Sequence, residues 1–178
     1  MGVYRPDDMH SQVQPFGPAA GRFRLAMRRL AATVSIISTS ENGVRHGMTA
    51  TSVVSVSMDP PSLLVSINQM ASIRDPLLRR RRFCVNLLSD RHKSYSEAFS
   101  GRLNGEERFS IGTWKQDEHE IPYLEDAQAS ISCVVARTVD YGSHTIVIGR
   151  VLEARVAPPI EPLIHLDGNC TSLRAVAG

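Results

Sequence analysis

Short segments rich in β-branched residues, each ended by turn-forming residues, are the feature that most limits what this chain can fold into. The run Thr33–Thr39 precedes Glu41–Gly43, whose Asn-Gly pair is typical of a two-residue β-hairpin. Asp59–Pro61 ends a later run, because proline has no backbone donor and restricts the residue before it. The predicted strands are residues 33–39, 44–48, 51–57, 62–67, 83–88, 129–139, 145–156 and 163–166. Short strands at such close spacing predict a mainly β fold, a closed antiparallel barrel rather than a parallel α/β sheet.

Three short helices are expected around these strands. The first has apolar residues at i, i+4 and i+7, which are Phe23, Met27 and Leu30. Such a face packs either on the protein's own core or on a second copy of the chain. A second helix is expected over residues 72–80 with Ser72 as its N-cap, and a third is capped by Ser89 or Asp90.

The chain is expected to form one domain, residues 21–178, because 178 residues can bury a sizeable core and no repeat or linker divides them. Residues 1–20 are expected to form a flexible N-terminal arm. They combine three prolines (Pro6, Pro15 and Pro18) with few apolar side chains.

Charge and cysteine usage argue against several classes of protein. A net charge of +2 does not suit a protein dedicated to nucleic-acid backbones, which usually presents a strongly basic face. The first residues are polar, and no apolar run approaches the about 20 residues that a membrane span needs. Three cysteines are an odd number without metal-ligand spacing, so Cys84 and Cys133 are expected to be buried and reduced. We therefore expect a cytoplasmic protein with no metal site and no nucleic-acid or membrane partner.

The local motifs of most catalytic chemistries are missing from the sequence. There is no G-x-G-x-x-G after a strand, no P-loop, no G-x-S-x-G nucleophile elbow and no H-x-x-x-H pair. A chain without these motifs can still be an enzyme when a bound cofactor carries the reaction. The polar residues inside the strands therefore become the candidates for function.

The segment Gly47–Ser57 is dense in hydroxyl-bearing and small side chains. One interpretation is a half-buried strand that turns Ser and Thr outward and Val inward. The other is a ligand groove, in which hydroxyls and backbone N–H groups hold a ring edge or a phosphate. Ser66, Asn68 and Ser72 follow at the end of the next strand, and Ser72 is expected at a helix N-terminus, which favours an anion. Two such stretches in one small barrel favour the ligand groove.

Several motifs also stand in a recognisable order from about Phe23 to Gly168. They are Phe23-Arg24-x-Ala26-Met27, the strand 33–39, Gly47-Met48-Thr49-Ala50-Thr51-Ser52, Ser55-Val56-Ser57-x-Asp59-Pro60-Pro61, Phe83-Cys84-Val85-Asn86-Leu87-Leu88, Phe99-Ser100-Gly101, Arg108-Phe109, Trp114, and Tyr141-Gly142-Ser143-His144-Thr145-Ile146 with Ile148-Gly149. In this order they resemble the flavin reductase-like family, the FMN-binding split barrels.

The resemblance implies a homodimeric, mainly β protein: a split antiparallel β-barrel with a few short peripheral helices and flavin near the dimer interface. It further implies an NAD(P)H:flavin oxidoreductase. Such an enzyme reduces FMN or FAD with NADH or NADPH and supplies the reduced flavin to a separate monooxygenase component.

The resemblance also implies the site residues. Those that would line the isoalloxazine and ribityl chain are Thr33, Val34, Ser35, Met48, Thr49, Ala50, Thr51 and Ser52. Those that would contact the phosphate are Ser66, Asn68 and Ser72. Val85 and Asn86 would lie beside the flavin through their backbone, and His144 would help to seat the nicotinamide.

Four positions depart from the family's pattern. Ser143 stands where an acidic residue is common, Thr33 where glycine is common, and His165 and Cys170 where aromatic residues are common. These departures affect the nicotinamide contacts more than flavin binding. The alternatives are a non-catalytic flavin-binding protein, a flavin-dependent reductase of another bound substrate such as a corrinoid, and a pyridoxamine-phosphate-oxidase-like or haem-related split barrel.

The arginine run Arg79–Arg82 has two interpretations. It is either a solvated helix end, where cations interact favourably with the helix dipole, or a patch for adenosine phosphates or an acidic partner enzyme.

Overall fold

The computed structural model describes residues 18–173. Its helices are α1 (Pro18–Met27), α2 (Arg74–Arg80) and α3 (Lys93–Glu97). Its strands are β1 (Ala32–Thr33), β2 (Ser35–Glu41), β3 (Val44–Ala50), β4 (Val53–Met58), β5 (Pro61–Asn68), β6 (Arg82–Leu87), β7 (Trp114–Gln116), β8 (Pro122–Leu124), β9 (Ala129–Tyr141), β10 (His144–Val156), β11 (Leu163–Leu166) and β12 (Asn169–Ser172). Short 3-10 or π-helical segments span Asp90–His92, Ala98–Arg102 and Gly105–Ser110.

Seven strands form one antiparallel sheet in the order β3-β2-β6-β9-β10-β5-β4. The two outermost strands, β3 and β4, are consecutive in the chain and are joined only by Thr51 and Ser52. Two residues cannot reach across a flat sheet of this size, which is about 29 Å wide at the usual strand spacing. The sheet must therefore curl until its edges meet, and the predicted split antiparallel β-barrel is confirmed.

Local turn chemistry determines two of the hairpins. β2 and β3 are joined by Asn42 and Gly43, whose φ angles are 51° and 77°. Asparagine and glycine tolerate this left-handed conformation better than other residues. β9 and β10 are joined in the same way by Gly142 and Ser143, with φ at 56° for Gly142. Both hairpins lie where the turn residues predict them.

The barrel interior is a packed apolar core around Phe83, which is fully buried together with Ile37, Val65 and Val147. Gly149 lies directly against the Phe83 ring, and a Cβ placed on Gly149 would be 2.5 Å from Phe83 Cζ. A side chain at this position would force the ring to move, so the core requires a glycine here.

A second core joins the outside of the sheet to the segment after α3. Phe99, Phe109 and Trp114 form an aromatic cluster with ring centroids between 4.8 and 5.3 Å apart. The Phe99 ring covers Gly47, where a Cβ would be 2.5 Å from Phe99 Cε1. The glycine that begins the Gly47–Ser52 motif is therefore required by aromatic packing.

Two local predictions on helix starts have different outcomes. The prediction that Ser72 caps α2 is wrong, because the N-cap position belongs to Ile73 and no side chain caps the helix. Ile73 is fully buried, so tertiary packing positions this helix start. At the next helical segment Ser89, not Asp90, occupies the N-cap position, and its backbone N–H donates to His92 Nδ1 at 3.1 Å.

Helix α1 lies on the outside of the protein, and every residue from Gly21 to Leu30 is exposed. Phe23 is 67% exposed and Leu30 is 59% exposed, so the apolar face of this helix does not pack on the protein's own core. Arg28, just after the helix, anchors it by donating to Asp167 Oδ1 at 2.8 Å.

The predicted arm, residues 1–20, lies largely outside the described residues. Residues 18–20 form the first turn of α1, and the domain boundary at residue 21 stays a prediction. Within residues 18–173, no helix has the length and apolar character required to cross a membrane.

Candidate functional site

A cavity of about 590 Å³ opens between the β1–β2 segment, β4 and the beginning of β5. Its size is in the range of pockets that hold a drug-sized ligand. No charged residue lines it: aliphatic side chains predominate, and the hydroxyl-bearing residues are Thr33, Ser35, Thr51, Ser55, Ser57 and Ser62. A neutral, mostly apolar cavity with a few hydroxyls suits a flat heteroaromatic ring better than a phosphate.

Ser35 is the most informative residue in this wall. It is fully buried, and its Oγ has no hydrogen-bond partner. A buried hydroxyl without a partner costs about 1–3 kcal/mol, so such an atom in a cavity wall calls for a ligand group. The predicted flavin-binding residues Thr33 and Thr51 lie in the same wall. The cavity therefore brings together three of the predicted site residues and fits a flavin ring.

The predicted phosphate segment lies along β5, beyond the cavity. Ser52 Oγ donates to the Ser66 carbonyl at 3.0 Å, which connects this segment to the β3–β4 junction next to Thr51. Asn68 lies at the end of β5, where its Oδ1 accepts the Met70 N–H at 2.9 Å. Ser66 and Asn68 are thus joined to the cavity wall through the Ser52 bridge.

Ser72 is exposed in the turn before α2. The Ala71 N–H donates to the Asn68 carbonyl at 2.9 Å, and this bond folds the turn back toward the end of β5. Asn68 and Ser72, two of the three residues predicted to contact the phosphate, therefore lie on one short turn.

His144 begins β10 and pairs directly with Asn68 of β5. It is half-buried, and its Nδ1 lies 2.9 Å from Ser143 Oγ. Ser143 thus contacts the imidazole without bringing a charge. The structure places His144, the residue predicted to seat the nicotinamide, beside the predicted phosphate segment. His144 does not line the cavity.

Val85 and Asn86 lie in the central strand β6 and do not line the cavity. The Asn86 side chain is fully buried: its Nδ2 donates to the Ile36 carbonyl at 3.0 Å and its Oδ1 accepts the Leu124 N–H at 2.8 Å. Asn86 therefore joins β2, β6 and β8. Leu87, one residue further along the chain, lines the cavity instead.

Four other residues predicted to contact the flavin are packed or hydrogen-bonded within the protein: Val34, Met48, Thr49 and Ala50. Thr49 Oγ1 donates to the Ser96 carbonyl at 2.7 Å, and Met48 packs against the barrel core. Val34 and Ala50 are buried at 1% and 7% exposure. These residues hold the strands that frame the cavity, and their contact with flavin stays a prediction.

Five residues outside the predicted set also line the cavity: Ser55, Ser57, Ser62, Leu87 and Val151. Ser55 and Ser57 lie within the hydroxyl-rich segment Gly47–Ser57 that favoured a ligand groove, but within that segment the site residues implied by the resemblance end at Ser52. Val151 comes from β10, a distant strand, and no local signal identifies it.

Three of the four arginines in the run, Arg79, Arg80 and Arg81, bond to the protein itself. Arg79 makes two hydrogen bonds to the Glu41 carboxylate, at 2.6 and 2.7 Å, and this pairing holds the pKa of Glu41 below its usual value. Arg80 donates to the His119 carbonyl at 2.6 Å and Arg81 to the Val135 carbonyl at 2.8 Å. The helix-end interpretation therefore fits better than a ligand patch.

The two strand cysteines are buried free thiols, as predicted. Burial raises the pKa of both thiols, that of Cys133 to about 12. Neither thiol is an activated nucleophile. Within residues 18–173, no group of three or more His, Cys, Asp or Glu side chains is arranged to hold a metal ion.

Comparison with known proteins agrees with this geometry. Residues 27–174 match the family model described as "Flavin reductase like domain". The chain is 43% identical over 145 residues to the reductase component of an FADH(2)-dependent resorcinol hydroxylase from Rhizobium sp. (strain MTP-10005), covering 80% of this chain and 81% of that protein. It is 37% identical over 143 residues to the FMN reductase (NADH) RutF of Pseudomonas syringae pv. syringae, covering 80% of each.

A solved structure supports the same assignment. The flavin reductase PheA2 in its native state superposes with a TM-score of 0.78 at 33% identity, covering 86% of this chain and 97% of that one.

Proposed function

This chain belongs to the flavin reductase like domain family, and on that basis we propose that it is an NADH-dependent flavin reductase. It takes a hydride from the reduced nicotinamide, reduces FMN or FAD, and supplies the reduced flavin to a separate monooxygenase component. The single observation that carries the proposal is the neutral cavity of about 590 Å³ with the buried, unpartnered Ser35 Oγ in its wall. The name of the RutF relative, an FMN reductase (NADH), supports NADH as donor, and NADPH is the alternative donor.

The residues present fit a flavin. Thr33, Ser35 and Thr51 would hold the ring in the cavity, and Ser66 with the Asn68–Ser72 turn would hold the phosphate end. When bound, the flavin supplies the ring that accepts the hydride. The chain's part is to orient the two ligands and exclude water.

His144 is proposed to seat the nicotinamide. Its imidazole is oriented by Ser143 and lies at the Asn68 end of β5, next to the phosphate segment. Hydride transfer depends mainly on how closely the donor and acceptor atoms are held, and good positioning can remove about 7–11 kcal/mol of a barrier. A site built from hydroxyls, backbone and one histidine is therefore sufficient.

We also propose that the protein acts as a homodimer. Phe23 on α1, Leu30 just after α1, and Val54, Val56 and Met58 on β4 are all between 49% and 81% exposed. Contiguous apolar side chains on the surface of one chain usually mark an interface. A second copy covering this surface would bury them next to the cavity, whose wall includes Leu30, Val54 and Met58.

A cytoplasmic location is part of the same proposal. The support is indirect: the cysteines of residues 18–173 are free, as is usual where thiols are kept reduced.

Steady-state turnover tests the proposal. Purified protein is mixed with each pairing of FMN or FAD with NADH or NADPH, and the loss of the reduced nicotinamide's absorbance is followed. We expect turnover with NADH and at least one flavin without any further reagent. Tight flavin binding with no NADH oxidation in any pairing would refute the reductase and leave a non-catalytic flavin-binding protein.

A further inference from the structure

Arg74, the first residue of α2, contacts the hairpin that presents His144. Its Nε donates to Thr145 Oγ1 at 3.2 Å, and its Nη2 donates to Asp140 Oδ1 at 3.5 Å. Thr145 Oγ1 in turn donates to Asp140 Oδ1 at 2.5 Å. The three side chains form a closed polar cluster, which we call the Arg74 cluster, on a hairpin that the site uses.

The Arg74 cluster joins the two strands of that hairpin just before they turn. Asp140 is the last but one residue of β9, and Thr145 is its direct partner on β10, next to His144. Beyond them lie only the Tyr141–His144 pair and the Gly142-Ser143 turn. Whatever fixes Asp140 and Thr145 therefore restrains the backbone from which the imidazole projects.

Arg74 can act in this way because its own backbone is held firmly. The neighbouring Ile73 is fully buried in the barrel core, as is Leu77 one turn into α2. The Arg74 side chain is only 25% exposed, and Thr145 is 1% exposed. The Arg74–Thr145 contact is thus made at the edge of the core, whereas the Asp140 side chain is 60% exposed and water screens its ion pair with Arg74.

Electrostatics favours the arrangement. The hydrogen bond from Thr145, followed by the charge of Arg74, holds the pKa of Asp140 below its usual value. Arg74 also donates from Nη1 to Asp75 Oδ1 at 2.8 Å. One guanidinium therefore has two carboxylate partners, one on its own helix and one on the hairpin.

We propose that Arg74 is a positioning residue for the nicotinamide. Through Thr145 and Asp140 it holds the His144 hairpin against α2 and against the turn that precedes α2. This inference rests on the proposed function and extends it. It adds a residue that contacts neither ligand to the set that determines how well NADH binds. Because Ser72 and Arg74 lie on the same short segment, it also joins the phosphate turn and the nicotinamide hairpin in one rigid unit.

The test compares five variants in steady-state turnover with NADH and FMN. Arg74→Ala removes the cluster's cation, and Thr145→Val removes the hydroxyl while keeping the shape of a β-branched side chain. The matched control is Asp75→Asn, which removes the other partner of Arg74 but leaves the hairpin bonds. A second control, Arg79→Ala, removes an arginine of the same helix that pairs elsewhere, with Glu41.

We expect the KM for NADH to rise about fivefold in Arg74→Ala and in Thr145→Val. The KM for FMN should stay within about twofold of the wild type. In the controls Asp75→Asn and Arg79→Ala, the KM for NADH and the KM for FMN should both equal the wild-type values. Arg74→Lys restores a charge without the planar fork and should recover only part of the effect.

Hydrogen exchange provides a readout that needs no turnover. Backbone amides of residues 138–147 should exchange faster in Arg74→Ala and Thr145→Val than in the wild type, and at the wild-type rate in Asp75→Asn. Unchanged exchange and an unchanged KM for NADH would overturn the inference. A rise in the KM for FMN alone would also overturn it and would make Arg74 a phosphate ligand. An inactive wild type would instead refute the proposed function, and the exchange experiment would still decide whether Arg74 holds the hairpin.

Discussion

Replacing Ser35 with alanine should stabilise the apoprotein and weaken flavin binding, two effects of opposite sign from one atom. Ser35 is fully buried, and its Oγ has no hydrogen-bond partner in the protein. Removal of an unsatisfied buried hydroxyl recovers its desolvation cost, about 1–3 kcal/mol, less the small packing loss of one atom. We expect the free energy of unfolding of apo Ser35→Ala to rise by about 1 kcal/mol.

The affinity of Ser35→Ala for flavin should change in the opposite sense to its stability and should fall. If the Ser35 hydroxyl bonds to the bound ring, its loss removes one neutral hydrogen bond, which is about 0.5–1.5 kcal/mol or about two- to twelvefold in Kd. Urea unfolding of the apoprotein and quenching of FMN fluorescence on titration measure the two quantities separately. Saturating FMN should therefore stabilise the variant less than the wild type.

Ser38 is the matched control on the same strand. It is equally buried, but its Oγ donates to the Pro122 carbonyl at 2.6 Å and accepts from Asn86 Nδ2 at 3.0 Å. Ser38→Ala should therefore destabilise the apoprotein by about 1–3 kcal/mol and leave the Kd for FMN unchanged. If apo Ser35→Ala proves less stable than the wild type, the hydroxyl has a partner and the reasoning about the cavity wall is wrong.

Three further predictions concern the core, the nicotinamide contact and pH. Gly149→Ala should lower the free energy of unfolding by about 1–3 kcal/mol in urea titrations, because the new Cβ would meet a buried aromatic ring at 2.5 Å. The control is Gly21→Ala, which should not destabilise the protein because no atom that the new Cβ could clash with lies within 4 Å. His144→Ala should raise the KM for NADH about fivefold or more with little change in the Kd for FMN, and an unchanged KM would make His144 a structural turn residue. The pKa of Glu41 is lowered in the folded state by its hydrogen bond to Arg79, so the pairing stabilises the protein above the carboxyl's ordinary pKa of 4.5 and this contribution is lost as pH falls through the lower folded value. The Tm of the wild type and that of Arg79→Ala should differ at neutral pH and converge at acid pH. A Tm difference that persists at acid pH would show that the Glu41–Arg79 pairing is not its cause.

Several features of this protein follow from short stretches of sequence. The Asn42-Gly43 pair and Gly142 determine two hairpins, because few other residues adopt positive φ at low cost. The β-branched runs and their spacing determine a small antiparallel barrel, and the ordered motifs identify the family. Each of these signals is local, or is a series of local signals, so no knowledge of distant contacts is needed.

The helix start at Ile73 and the environment of Asn86 depended on tertiary structure. Ser72 has the right chemistry for a cap, but burial of Ile73 in the core decides where α2 begins. The resemblance places Asn86 beside the flavin through its backbone, which stays a prediction, and the tertiary structure decides that its side chain bonds to the Ile36 carbonyl and the Leu124 N–H. Pairing partners some 40 or 50 residues away cannot be read from the local pattern.

The candidate site likewise has features that the sequence determined and features that only the tertiary structure decided. The sequence by itself determined which segments carry hydroxyls, including Thr33, Ser35 and Thr51, because alternation and composition are visible residue by residue. Only the tertiary structure decided that these three line one neutral cavity, that the Ser35 hydroxyl has no partner there, and that Arg74 reaches the His144 hairpin. The physical reason is that closing the barrel brings together side chains from strands far apart in the chain, and burial and hydrogen bonding are properties of that closed arrangement.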